Sequence, residues 1–350
     1  MDILSKDNSL ILRGLCITSV ILHNFLTFPQ FGLSRCNEMS FSVEKTWAFL
    51  NSLGHGNMIA EFITFVGWVA MPVFVFLTGY GVTISSSSSH LEPKKYIKKQ
   101  WLKLVLLLTP MLIVFGMQDI IQHDYATFVK RLFYPTLLVN FAYPYLRAVP
   151  GTYWYFSLTF QFYLIWAIWG ERLNKKNLLW LSLFFIVGLW LLCRANIPSF
   201  LSIYKHCFTG WFFMFAFGVY MAKYKNNWFS RIVTTWWQEI LLMISLLALV
   251  IAMNLYLESW LFVPFFALFL IIFMGRLVLR FKYISKAISF IGRYSACIFV
   301  CHPLMKSVVS KIGFRYTDNM LLLVLSYVIL TIALSILYAR LYNYLRTKFV

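Results

Sequence analysis

The sequence predicts an all-α integral membrane protein, a bundle of about ten transmembrane helices formed by one domain over residues 1–350. Three observations lead to this prediction. Hydrophobic residues make up 61% of the chain, its mean hydropathy is +0.73, and only 12% of its residues are charged. Because soluble domains carry about 25% charged residues, this composition excludes an ordinary soluble protein. Apolar stretches of bilayer-spanning length also recur along the whole chain.

Ten of these stretches are long enough to cross a bilayer as helices. They lie near residues 10–28, 60–84, 101–118, 152–170, 177–193, 208–222, 238–256, 259–275, 287–306 and 319–342. A further apolar stretch, 132–149, is bracketed and interrupted by prolines. We interpret it as a re-entrant or interfacial segment, whose backbone must be satisfied by protein or water. An eleventh span there would reverse the orientation of everything after it.

The distribution of lysine and arginine favours ten spans with both termini in the cytoplasm. With the N-terminus inside, cytoplasmic segments hold 20 of the 31 basic residues and extracytoplasmic segments hold 10. Short loops rich in these residues stay cytoplasmic. The net charge of +19 follows largely from that rule and from attraction to anionic membrane lipid. Because the charges are scattered over many short loops, we expect no nucleic-acid partner.

The first predicted span carries two ionisable side chains, Arg13 and His23. A charged group near the bilayer centre costs roughly 2.5–3.5 kcal/mol, so such residues usually face a bundle interior or a wet cavity. The span is therefore a candidate wall of an active site. Two structural interpretations stay open: Arg13 near the inner end could extend to the interface, and His23 could simply form a hydrogen bond between helices.

Four local sequences, in this order along the chain, resemble motifs of the membrane acyltransferase 3 family. They are Leu12-Arg13-Gly14 with His23, residues 74–80 (FVFLTGY), residues 154–164 (WYFSLTFQFYL), and residues 291–304 with Gly292, Ser295 and His302-Pro303-Leu304. Together they extend over nearly the whole chain. The chain therefore resembles this family as a single acyltransferase-3-like transmembrane domain.

The resemblance implies a membrane O-acyltransferase, with O-acetyltransferase as the commonest form. The donor would be cytoplasmic acyl-CoA, expected to be acetyl-CoA, and the acceptor a hydroxyl of an extracytoplasmic polysaccharide or lipid-linked glycan. No metal is expected, and the family's usual location is the bacterial inner membrane. The alternatives are a glycan or lipid transporter and a non-catalytic scaffold of polysaccharide assembly. Only the acyltransferase would release free CoA.

Acyl transfer to a hydroxyl needs a group that takes the acceptor's proton, and an imidazole suits neutral pH. His23 is therefore the predicted catalytic base, with a transient acyl carrier as its alternative role. The resemblance implies that Arg13, Lys99 and Lys103 bind the donor and that Trp154 lines the pocket. Supporting or substrate roles are predicted for Glu61, Tyr163 and His302.

Most of these residues also have a structural interpretation. The lysines between residues 94 and 103 fit an ordinary cytoplasmic anchor, and Trp154 fits the aromatic belt of the interface. Glu61 fits an acid at a helix start, where it complements the dipole, although it could instead orient a membrane histidine. His302 fits a packing or capping group.

The first motif departs from the family pattern in its spacing. The family separates its arginine and histidine by eleven positions, whereas Arg13 and His23 are ten apart and Asn24 occupies the eleventh. On an ideal helix ten residues place the two side chains about 80° apart and about 15 Å along the axis. Either a local bulge brings the Arg13 and His23 side chains back to one helix face, or these two residues do not align with the arginine and histidine of the family. The family's paired glutamates are Thr159 and Phe160 in this chain, and its arginine-rich run is lysine, which lacks the bidentate fork.

Overall fold

The computed structural model describes residues 3–33, 42–54, 56–86, 92–148, 150–195, 197–224, 235–256, 259 and 262–350. These residues form helices, turns and loops and contain no strand, which confirms the all-α prediction. The helices are α1 (Ser9–Leu26), α2 (Val43–Ser52), α3 (Met58–Val66), α4 (Ala70–Ser86), α5 (Pro93–Ile121), α6 (Tyr125–Leu132), α7 (Tyr143–Leu146), α8 (Trp154–Trp169), α9 (Lys175–Ala195), α10 (Pro198–His206), α11 (Phe208–Tyr224), α12 (Trp236–Met253), α13 (Val263–Leu279), α14 (Lys282–Arg293), α15 (Ser295–Gly313) and α16 (Met320–Phe349).

Seven helical segments among the described residues are long and apolar enough to cross a membrane. They are Ser9–Leu26, Met58–Ser85, Pro93–Ile121, Lys175–Ala195, Trp236–Met253, Ser295–Gly313 and Met320–Phe349. The other three predicted spans are also helical but shorter than 18 residues: α8, α11 and α13. The chain is thus a multi-pass helical membrane protein, while the count of ten and the orientation of the termini remain predictions.

Two predicted spans are interrupted in the structure. The second contains a 3-10 turn, Gly67–Val69, between α3 and α4. The ninth is divided after Arg293 into α14 and α15, and α15 continues to Gly313. Lys306 and Lys311 both lie inside α15.

The stretch 132–149 forms no continuous helix in its described residues. It contains two 3-10 turns, Tyr134–Thr136 and Val139–Ala142, and the single turn of α7. None is long enough to cross a bilayer, since a span needs about 20 residues. An eleventh span is therefore absent from this part of the described chain.

The chain divides into two compact units. The first unit is Met1–Phe74 with Lys225–Leu337, and the second unit is Val75–Tyr224 with Tyr338–Val350. The interpretation of residues 1–350 as a single acyltransferase-3-like domain remains a prediction.

In the first unit, α1 packs against α3, α13, α14 and α15. Its closest approach is to α14, where two glycines meet the opposing backbone. A Cβ on Gly14 would overlap the Ile288 carbonyl, and a Cβ on Gly292 would overlap the Leu10 carbonyl. Small residues at a crossing let two helix backbones touch, which is how membrane helices gain packing contacts. The glycines of the first and fourth motifs therefore have a packing role.

In the second unit, glycine performs the same role between α4 and α11. A Cβ on Gly79 would overlap the Phe215 carbonyl, and a Cβ on Gly218 would overlap the Phe76 carbonyl. The glycine of the 74–80 motif is thus explained by helix packing. A buried ion pair between Asp119 and Arg131 holds α6 against the end of α5.

Candidate functional site

His23 is buried against a glycine where α3 ends. A Cβ on Gly67 would lie 2.5 Å from His23 Cβ and 3.3 Å from its Nδ1, so only glycine leaves room for the ring. The backbone of Ile63 and Thr64 lies beside the imidazole. The Ser19 hydroxyl, one turn earlier on α1, donates a 2.9 Å hydrogen bond to the Gly67 carbonyl. These contacts fix α1 and α3 closely around the histidine.

The Nδ1 atom of His23 forms no hydrogen bond with any described residue, although it is buried. A neutral imidazole has one N–H and one nitrogen with a free lone pair. A buried polar atom without a partner normally loses free energy, so it requires a reason. A general base needs a ring nitrogen that the protein has not already saturated, and Nδ1 meets that requirement.

The neighbouring residue, Asn24, is differently placed. Its side-chain amide donates a 2.8 Å hydrogen bond to the Val20 carbonyl of its own helix, and it is only half buried. Helix α1 runs without a bulge from Ser9 to Leu26. Arg13 is exposed whereas His23 is buried. The bulge considered for this helix is therefore not present, and His23, rather than Asn24, is the residue directed into the protein.

A second histidine, His302, lies on α15 in the same unit and is only 1% exposed. Its Nδ1 lies 2.8 Å from the Phe299 carbonyl oxygen, so Nδ1 carries the proton and donates. The Nε2 atom then keeps the lone pair. His302 is thus an oriented imidazole whose Nε2 is the nitrogen available to accept a proton.

Lys306 stands one turn after His302 and connects α15 to the end of α1. Its ammonium donates a hydrogen bond to the Asn24 carbonyl oxygen. It also lies 4.6 Å from the centre of the Phe28 ring. Lys306 therefore lies close to both predicted histidines.

Glu61 is buried and lies in the first turn of α3. Its carbonyl oxygen accepts a 2.8 Å hydrogen bond from the Thr64 hydroxyl, one turn nearer to His23. It thus belongs to the helix that flanks the imidazole. Its position also fits the structural interpretation, since an acid in a first turn complements the helix dipole.

The remaining predicted residues lie in the second unit. Lys99 is exposed and Lys103 half buried on α5, and the charges of Lys99 and Arg346 both act on Lys103. The ring of Tyr163 on α8 lies edge-on to Tyr96, with centroids 6.3 Å apart. Lys99, Lys103 and Arg346 thus form a cluster of positive charge, which would suit a phosphate-bearing ligand.

Trp154 lies in a buried aromatic cluster. Its ring stacks near Trp211 and meets the His206 ring edge-on at 5.0 Å. The Asn140 side-chain amide donates to the carbonyls of both Trp154 and His206, at 2.9 and 2.6 Å. The ring of Tyr143 stacks on His206 at 3.4 Å. Trp154 is thus packed against other residues of the protein. In the same cluster, burial lowers the pKa of His206 to about 3.

Two residues near His23 were not predicted from the sequence: Gly67 and Lys306. The four-residue interval between His302 and Lys306 places both on one helix face, so the sequence did contain a signal for the lysine. It was hidden because the predicted span ended at residue 306. Nothing in the sequence near Gly67 indicates that it faces His23, since the contact joins residues 44 positions apart.

The amino-acid sequence matches one protein family. This family is described as an acyltransferase domain of the acyltransferase 3 type, and the match extends over residues 10–340. It includes all eight predicted site residues and most of both units. No curated protein and no solved structure matches the chain.

Proposed function

The chain belongs to the acyltransferase 3 family and is an acyltransferase. From this premise we propose that it moves an acyl group, expected to be acetyl, from cytoplasmic acyl-CoA to a hydroxyl of an extracytoplasmic polysaccharide or lipid-linked glycan. The resemblance described above supports the donor and the class of acceptor. The location proposed from the same resemblance is a bacterial inner membrane.

The observation that carries the proposal is the buried His23 with its unpartnered Nδ1. In the proposed step, an acceptor hydroxyl oxygen attacks the thioester carbonyl carbon and Nδ1 accepts the hydroxyl proton. The carbon–sulfur bond then breaks, the acyl group remains on the acceptor oxygen as an ester, and the CoA sulfur leaves and takes the proton from Nδ1, which restores the base. A positioned base of this kind contributes about 10²–10⁴-fold to rate.

From the family resemblance, Arg13, Lys99 and Lys103 are proposed to bind the phosphates of the donor. Charge-assisted hydrogen bonds to phosphate are about twice as strong as neutral ones. We assign supporting roles to Glu61 and His302, which are buried in the same unit as His23. Tyr163 and Trp154 are proposed as aromatic contacts of the substrates.

The test is acceptor-dependent release of CoA by purified protein in proteoliposomes. Vesicles are loaded with a mixture of surface glycans, and labelled acetyl-CoA or succinyl-CoA is added outside. The proposal predicts free CoA in the medium and labelled ester in the glycan, both requiring acceptor. Transport of intact glycan without CoA release would instead support a transporter. Absence of both activities with all donors would support a scaffold.

A further inference from the structure

The crossing of α1 and α14 brings two arginines together. The backbone N of Gly14 lies 3.0 Å from the Cβ position of Gly292, so the two helix backbones touch at these residues. Arg13 directly precedes Gly14, and Arg293 directly follows Gly292. Adding standard bond lengths to that distance places the Arg13 and Arg293 Cα atoms within about 11 Å of each other. Two arginine side chains can reach one ligand across that separation.

Both arginines are exposed, and within the described residues neither guanidinium is hydrogen-bonded or paired with an acid. Other arginines that hold helices together do have acidic partners. Arg276 and Arg280 both bind the buried Glu239, at 2.6 and 2.9 Å. Arg13 and Arg293 are therefore not explained by an internal ion pair.

We propose that Arg13 and Arg293 form a phosphate clamp, in which both guanidinium groups bind the phosphate groups of the acyl-CoA donor. This inference rests on the proposed function and adds Arg293 to the donor site. Arginine presents a planar fork that matches phosphate oxygens, and two forks beside one helix crossing can bind the same diphosphate. The glycines allow the crossing to be this close, because a side chain at either position would force the helices apart.

The same chemistry would suit the phosphate of an anionic lipid headgroup, since α14 also presents Lys282 and Lys286 and exposed Tyr283 to its surroundings. Basic amphipathic helices bind anionic lipid at the interface. The experiment must therefore separate a donor phosphate from a lipid phosphate. CoA and dephospho-CoA, measured with and without anionic lipid, make that separation.

The experiment measures binding of CoA to full-length protein by titration calorimetry, in nanodiscs of neutral lipid and in nanodiscs with added anionic lipid. The variants are Arg293→Gln, Arg293→Lys, Arg13→Gln and the double variant, with Arg340→Gln as a matched control. Arg340 is an exposed arginine of α16, also in a predicted cytoplasmic segment. We expect each Gln variant to weaken CoA binding in neutral lipid by about 10- to 100-fold, as for hydrogen bonds to charged groups. Arg293→Lys should keep only part of the affinity.

Three further results decide the inference. The double variant should lose less affinity than the two single losses multiplied, because both side chains bind one ligand. Equal loss of CoA and dephospho-CoA affinity assigns the clamp to the diphosphate, whereas loss confined to CoA assigns it to the 3′-phosphate. The clamp is refuted if Arg293→Gln binds CoA within twofold of wild type, or if its effect appears only with anionic lipid. Failure of the wild type itself to bind CoA would instead contradict the proposed function.

Discussion

Replacing Gly67 with alanine adds one methyl group directly against the predicted catalytic base. Residue 67 has a right-handed backbone conformation that alanine adopts without strain, so only the close approach matters. The new Cβ would lie 2.5 Å from His23 Cβ and 3.1 Å from its Cγ. Carbon atoms pack best at about 3.5–4.0 Å. Because His23 Cβ is fixed to the helix backbone, α1 and α3 must separate by about 1 Å.

That displacement sets the expected size of the effect. Overpacking of this kind costs about 1–3 kcal/mol of folding free energy. A misplacement of about 1 Å at a catalytic group can reduce the rate about 10²-fold. We therefore expect Gly67→Ala to remain folded in detergent while its CoA release falls by about two orders of magnitude.

The assay is acceptor-dependent CoA release in proteoliposomes, with thermal unfolding measured on the same preparation. The matched control is Gly81→Ala on α4, where a Cβ meets no atom within 4 Å. Since alanine favours helix over glycine by up to about 1 kcal/mol, this control should be as stable as wild type or slightly more stable. CoA release at the wild-type rate by Gly67→Ala would refute the claim that His23 is a catalytic base positioned by its packing against Gly67.

Three other predictions concern stability, each measured by unfolding in detergent. Arg131→Ala leaves the Asp119 carboxylate buried without its partner, so the free energy of unfolding should fall by about 3–5 kcal/mol, and a loss below 1 kcal/mol would contradict this. Lys306→Met removes the donor to the Asn24 carbonyl, which should cost about 1.5–3 kcal/mol, and Lys306→Arg should recover part of it; equal losses in both variants would contradict a hydrogen-bonding role. Burial lowers the pKa of His206 from 6.5 to about 3, so the folded protein disfavours the protonated form of this residue. Stability should therefore be complete above about pH 6.5 and decrease as the pH falls towards 3, by at most about 1.4 kcal/mol per pH unit, and His206→Gln should remove that slope.

The helices could be predicted because their cause is local. A polar backbone in lipid must satisfy its hydrogen bonds within the segment, so apolar stretches of sufficient length become helices. Each of the ten predicted stretches is mainly helical in its described residues for this reason. The interruptions at Gly67 and after Arg293 were not predicted, because they result from contacts with other helices and hydropathy does not record such contacts.

The candidate site could be predicted only in part. Arg13 and His23 were detectable because ionisable groups in an apolar helix are expensive. Their different environments, one exposed and one buried, follow from the regular geometry of α1 over ten residues. The contacts of His23 with Gly67, and of Asn24 with Lys306, join residues far apart in the sequence. Such contacts depend on tertiary packing and leave no local pattern.

The most direct test of the central claim compares His23→Ala with Asn24→Ala. Both substitutions lie on the same turn of α1, but Asn24 bonds only to its own helix through its side chain, whereas His23 presents an unsaturated nitrogen. Acceptor-dependent CoA release is measured for both variants beside wild type, after equal folding is verified by thermal unfolding. The account predicts a loss of about 10²–10⁴-fold for His23→Ala and activity within a few-fold of wild type for Asn24→Ala. Full activity of His23→Ala, or abolition of activity by Asn24→Ala alone, would contradict it.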